Sequence, residues 1–151
     1  MDWSRRGVPA GVVAVLTLWL ASPALAGEQL QLVTNEQLHV GAAQGTFTFS
    51  GDFVDAGSFA FESFLTAGPP SVRISTEHLT QLYAGGAGAL EVQSECLSTF
   101  DGVESFIDTC QAVVEGGTGA YEDLHGSGTC SGVINLATRL ATRVCHLRLN
   151  R

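Results

Sequence analysis

The residues of this 151-residue chain that could carry chemistry are few, and most of them fail on spacing. His125 and Ser127 stand two apart in "HGSG", so on a strand both side chains would point the same way, as a base and its nucleophile must. The segment lacks the G-x-S-x-G elbow, and neither an orienting acid nor an oxyanion hole accompanies it. His39, His78, His125 and His146 are scattered, with no H-x-H or H-E-x-x-H spacing, so no metal site is expected. The glycine-rich "EGGTGAYEDLHGSG" (115–128) invites a phosphate-cradle reading. A P-loop needs a lysine, and the chain has none; a dinucleotide fingerprint needs glycine where Glu122 stands. No cofactor and no catalytic residue can be assigned. What remains is the pair Asp108 and Arg143, an acid and a base whose placement depends on the elements that carry them.

Those elements are strands. "GTFTFSG" sets Phe47 and Phe49 on one face and Thr46, Thr48 and Ser50 on the other, and "SFAFES" repeats the pattern with Phe59 and Phe61. "SVRISTEHLTQLY" alternates at its start through Val72 and Ile74, and "ALEVQSECL" alternates Leu90, Val92 and Cys96 against Glu91, Gln93 and Glu95. "SFIDTCQAVVE", "GTCSGVINL" and "LATRVCHLRL" follow, with a weaker opening run, "LQLVTNEQLHV". Gly, Pro and Asp-Gly clusters separate these runs, and no helical stripe is sustained. The expected fold is all-β, a single eight-stranded antiparallel barrel or a sandwich. The glycines at 116, 117 and 119 then serve a corner between strands, with Tyr121 tucked over the barrel end.

The cysteines set the phase. Cys96 and Cys110 are symmetric about Val103, Cys110 and Cys130 about Ala120, and Cys130 and Cys145 about a two-residue turn at Ala137-Thr138. Residues equidistant from an antiparallel turn face each other, so all four sulfurs should lie at one level of four strands. Adjacent pairing, Cys96–Cys110 and Cys130–Cys145, is preferred; Cys110–Cys130 with Cys96–Cys145 is the alternative. If the cysteines point inward, so do Leu90, Val92, Ser94, Phe106, Asp108, Ala112, Val114, Ile134, Arg143, Leu147 and Leu149. Asp108 and Arg143 would then share the apolar phase beyond the cysteines, towards the Asp101-Gly102 and Ala137-Thr138 turns. Three placements are open: a polar ligand site, two strand ends reaching solvent, or cysteines facing outward with the phase inverted.

The chain's start and its composition bound the setting. Arg5 and Arg6, the apolar run Val12–Leu20 and Ala24-Leu25-Ala26 read as a cleaved export signal over 1–26. The apolar run is too short to span a bilayer comfortably, so no stable membrane anchor is expected. Residues 27–151 are then one domain, carrying five arginines, no lysine and fourteen acids, a formal charge of −9. That balance argues against nucleic acid, whose phosphates require clustered Lys and Arg. An even number of cysteines in an exported chain argues for two disulfides and a secreted, extracellular or periplasmic location.

"AVVEGGTGAYEDLHGSGT" also resembles the signature GG[ST]G-x-[FY]-x-x-x-x-G of allene oxide cyclases, dirigent proteins and their bacterial barrel relatives, through Gly116, Gly117, Thr118, Gly119, Tyr121 and Gly126. "GTFTFSGDF" and "DAGSF" are looser likenesses, and Asp52 and Asp55 resemble the aspartate-rich turn of dirigent proteins. The resemblance implies an eight-stranded barrel with a lined interior. In that family the signature is a structural corner, and the polar cavity residues have no matching motif in this chain. The function expected is a secreted barrel binding a small, largely apolar molecule and steering its cyclisation, isomerisation or coupling, with Asp108 and Arg143 orienting it. The alternative is a non-enzymatic structural or interaction module with a filled barrel, acting through surface loops or as a homo-oligomer.

Overall fold

In the computed structural model the described residues are 27–39, 42–62, 64–66 and 74–151, with side chains not described over 62–77. The expected export signal over 1–26, Val72 and the side chains of Phe64 and Ile74 lie outside that description. The strands are β1 (Glu28–His39), β2 (Ala42–Gly51), β3 (Asp55–Glu62), β4 (Phe64–Thr66) and β5 (Ile74–Gly85). They continue as β6 (Ala89–Phe100), β7 (Ser105–Gly117), β8 (His125–Asn135) and β9 (Leu140–Asn150). A 3₁₀ turn at Gly119–Tyr121 is the helical element between β7 and β8.

Each strand pairs antiparallel with its neighbours in the order β3-β2-β1-β9-β8-β7-β6-β5-β4, and β3 also pairs with β5. β3 and β4 both lie against β5, at Gly57–Ala60 and Phe64–Thr66, so together they fill one place in the wall. The result is the expected closed eight-stranded antiparallel barrel. Closure removes the open edges a sheet would otherwise leave for aggregation.

The apolar phase faces inward. Phe47, Phe49, Phe59, Phe61, Tyr83 and Tyr121 fill the interior with leucines from β1, β5, β6 and β9. Most of the aromatic rings meet in tilted or edge-on pairs, Phe47 with Tyr83 at 5.4 Å and Phe49 with Tyr121 at 5.7 Å, while Phe59 and Phe61 stack. Such pairs add roughly 0.5–1.5 kcal/mol beyond the area they bury.

Cys96, Cys110, Cys130 and Cys145 stand in one register row across β6, β7, β8 and β9, continued by Leu32 and Phe49. The disulfides are Cys96–Cys110 and Cys130–Cys145. The alternative pairing fails on distance: Cys96 and Cys145 are three strand spacings apart, about 14 Å at ~4.8 Å each, against a reach of about 7 Å. Two disulfides suit an oxidising compartment. The β8–β9 connection differs from the two-residue expectation. The last pair is Asn135↔Leu140, leaving four residues in the turn, with Arg139 at φ 58° and the Asn135 amide oxygen accepting from the Thr138 N–H. The turn keeps its centre, so the register is unchanged.

Candidate functional site

The barrel has two chemically distinct ends. One end holds the chain start of β1, the β2–β3 and β5–β6 turns, the 3₁₀ corner and the end of β9. Here Tyr121 is inserted and fully buried, and its hydroxyl donates to Asp55 Oδ2 at 2.7 Å. Asp55 also accepts from the backbone N–H groups of Ala56, Gly86 and Ala87, at 2.8, 3.0 and 3.1 Å. The Tyr121 hydroxyl and these amides hold the Asp55 carboxyl below the usual aspartate range. Burial, with the Asp55 carboxylate beside it, pushes the Tyr121 phenol up.

The glycine-rich corner makes this geometry possible. Thr118 exchanges bonds with Ala89, its N–H donating to the Ala89 carbonyl at 2.8 Å and its Oγ1 accepting from the Ala89 N–H at 3.1 Å. Gly119 turns at φ +63°, and a β-carbon there would run into the Ala87 carbonyl. Gly116, at φ +138°, sits beside the irregularity where the β6–β7 register slips. Gly117 and Gly126 lie flat against the Ala89 and Arg148 carbonyls. His125 and Ser127 are exposed on the outer wall, away from any buried acid.

The opposite half holds the buried charge. Asp108 and Arg143 both lie inside, 0 % and 3 % exposed, so neither reaches solvent. Arg143 Nη2 donates to Asp108 Oδ2 at 3.0 Å, and Nη1 donates to Glu36 Oε1 at 3.3 Å. Thr34 Oγ1 donates to the same Glu36 oxygen at 2.7 Å.

The register explains how β7 and β9 share an ion pair across β8. One inward row reads Ser98, Asp108, Gly132, Arg143, Thr34 and Phe47 around the wall. Gly132 puts no side chain between the acid and the arginine; a β-carbon there would stand 3.3 Å from Arg143 Cβ and 2.9 Å from the Thr142 carbonyl oxygen. The next rung contributes Ile134, Ala141, Glu36, Phe59 and Tyr83.

Burial alone disfavours the Arg143 cation, but Glu36 and Asp108, with Tyr83, outweigh it and hold the guanidinium pKa above its ordinary value. Burial likewise pushes the Tyr83 phenol up, Arg143 pulling against it and Glu36 with it. Two carboxyls face one guanidinium, so the formal charge of the cluster is −1.

The cluster is also incompletely bonded. Among the described residues Asp108 Oδ1, Arg143 Nε and Ser98 Oγ, on the cluster's own row, are buried without a hydrogen-bond partner, as are Gln81 Nε2 and Glu28 Oε2 elsewhere in the barrel. Native interiors leave few such atoms, each at a cost of about 1–3 kcal/mol.

The phase of the cysteines marks Asp108 and Arg143 as a pair, but it does not mark Glu36, Thr34, Ser98 or Tyr83 as their polar neighbours. A signal for Glu36 existed: Leu30 and Leu32 set an inward phase that runs on through Thr34 and Glu36.

The concavities found among the described residues lie on the outer wall. A groove of about 800 Å³ crosses the outer faces of Gln37, Gln44, Thr46, Ser58, Leu82 and Leu140. No cluster of three or more His, Cys, Asp or Glu side chains able to hold a metal occurs among the described residues, and no helix there is long and apolar enough to cross a membrane. No family model, curated protein or solved structure matches this chain.

Proposed function

We propose that this protein is an exported, disulfide-stapled barrel that binds a small, largely apolar molecule at the half of its interior holding Arg143, Asp108 and Glu36. Confinement of that kind acts by shape and water exclusion, with one or two polar groups for orientation rather than a nucleophile. It suits steering a cyclisation, isomerisation or coupling. The observation that carries the reading is that three atoms of this half, Asp108 Oδ1, Arg143 Nε and Ser98 Oγ, are buried without hydrogen-bond partners. A core built only for stability is better served by apolar side chains than by a half-satisfied ionic network. The resemblance of the glycine-rich corner to allene oxide cyclases and dirigent proteins supports the same reading, at the level of the fold only. The even, fully paired cysteines and the leader-like start support export.

A second reading has its own observation. The interior is packed with aromatics and two disulfides, and the large groove is outside, which favours a structural or interaction module with a filled barrel, working through its surface or by self-association. Native mass spectrometry of protein recovered from its own secretion separates the two. The binding reading expects a co-purifying small molecule that is lost from an Asp108→Asn variant of unchanged fold. Bare protein, together with a crystal structure whose interior holds only side chains and water, would leave the module reading standing.

A further inference from the structure

We infer that the outer groove across β9, β1, β2, β3 and β5 is a binding site for a neutral oligosaccharide, separate from the barrel interior. Two adjacent outward rows of the register build it. One runs Leu140, Gln37, Gln44, Ala60 and Leu82, and the other Thr142, Asn35, Thr46, Ser58 and Ala84. Both rows line the same concavity of about 800 Å³, with Gln37 half-buried and the rest exposed. Crossing five strands at a spacing of ~4.8 Å makes it about 19 Å long, room for several sugar rings in line. Neither row contains a charged residue, although residues 27–151 carry a formal charge of −9. Glu36 also borders the groove, but its carboxyl turns inward to Arg143.

The polar groups are the amides of Asn35, Gln37 and Gln44 and the hydroxyls of Thr46, Ser58 and Thr142, and every one both donates and accepts. Two of the amides are already aimed. Thr142 Oγ1 donates to Asn35 Oδ1 at 3.5 Å, and Gln37 Nε2 donates to the Arg139 carbonyl at 3.1 Å. Those bonds leave the Asn35 amide N–H groups and Gln37 Oε1 for a ligand, a donor and an acceptor about 7 Å apart on one strand. A sugar matches this set, because its hydroxyls donate and accept, it is uncharged, and its C–H faces fit Ala60, Ala84 and Leu82 at the β5 side. An anion finds no cation here and meets the field of an acidic protein. A wholly apolar molecule would strip water from the amides and hydroxyls without replacing their hydrogen bonds. An extended peptide bonds chiefly through its main chain, and β9, β1 and β2 are each paired on both sides, so no strand edge receives it.

The test uses the full chain, expressed for export, and heteronuclear NMR spectra that resolve the side-chain amides. Cellohexaose, maltohexaose and mannohexaose are the neutral probes, and hexagalacturonate, with a carboxylate on every ring, is the charged control. At least one neutral probe at millimolar concentration is expected to shift the amide signals of Asn35, Gln37 and Gln44, while hexagalacturonate leaves them in place. Asn35→Ala and Gln44→Ala, at exposed positions outside the core, should each weaken that binding about two- to tenfold, the loss of one net hydrogen bond. No shift with any neutral probe overturns the inference, and so does an equal response to hexagalacturonate. Sugar binding that neither substitution changes also overturns it, because the sugar then sits elsewhere. Shifts of the same signals that grow with protein concentration and need no sugar put a second copy of the chain on this face, and overturn it too. Each of these outcomes leaves the interior binding reading where it stands.

Discussion

The two ends of the barrel solve the same problem, a carboxylate held against a bulky partner, in opposite ways. At the corner end Asp55 takes four hydrogen bonds, three of them from rigid backbone, and one charged group closes three segments far apart in sequence. At the other end Asp108 and Glu36 share one arginine, and one Asp108 oxygen and the Arg143 Nε stay unpaired. The corner is complete in itself. The arginine cluster depends on its one cation, since removing Arg143 strands two buried carboxylates. The clamping carboxylate of Asp55 is saturated, whereas that of Asp108 keeps one oxygen unfilled.

The sharpest way to break this contrast is Arg143→Ala. It leaves two carboxylates buried without a cation and should cost roughly 3–5 kcal/mol, read as a lower midpoint in urea. Replacing Glu36, Asp108 and Arg143 together by apolar residues of similar volume should recover most of that loss, which a simple packing defect would not. At the corner, Tyr121→Phe removes one hydrogen bond to a carboxylate and keeps the ring against Phe49, so a loss of about 1.5–3 kcal/mol is expected. A loss near zero would mean that the ring alone closes this end.

Acid should act on the corner through Asp55. Its carboxyl is held below the ordinary value, so the unfolded chain binds the proton more readily, and the stabilisation is present above about pH 4. That contribution is lost as the pH falls through the lower, folded value. Denaturant midpoints taken down this range should fall less steeply for Asp55→Asn than for the parent; parallel curves would contradict the clamp. The smallest effect is expected at Ser98→Ala. Its hydroxyl is buried with no partner in the described structure, so removing it should not destabilise the protein and should raise its stability by about 1 kcal/mol. A clear destabilisation would mean that Ser98 is bonded within the protein after all.

Alternating Phe, Leu and Cys positions made the strands readable, and the symmetry of four cysteines about three turns made the register of β6 to β9 readable as well. The opening run read weakly because two of its inward positions are the polar Thr34 and Glu36. The residues that blur the periodicity of β1 are thus the ones that complete the charged cluster. Arg143 and Asp108 share a phase in the sequence, but their contact needs Gly132 between them, and one glycine within "GTCSGVINL" carries no mark of that task. Asp55 and Tyr121 are 66 residues apart, and no local pattern announces a clamp closed by tertiary folding.

The cysteine row has a consequence for the order of events during oxidation. Cys110 faces Cys130 across β7 and β8 as directly as each faces its native partner. A first bond between Cys110 and Cys130 is therefore compatible with correctly paired strands, yet it leaves Cys96 and Cys145 stranded too far apart to join. Cys96 still faces Cys110, so attack of its thiolate on the Cys110–Cys130 bond frees Cys130 for Cys145 and restores the native pairing, provided the row is still open to solvent. The cysteine row thus lets a first bond between the wrong neighbours correct itself by exchange along the row.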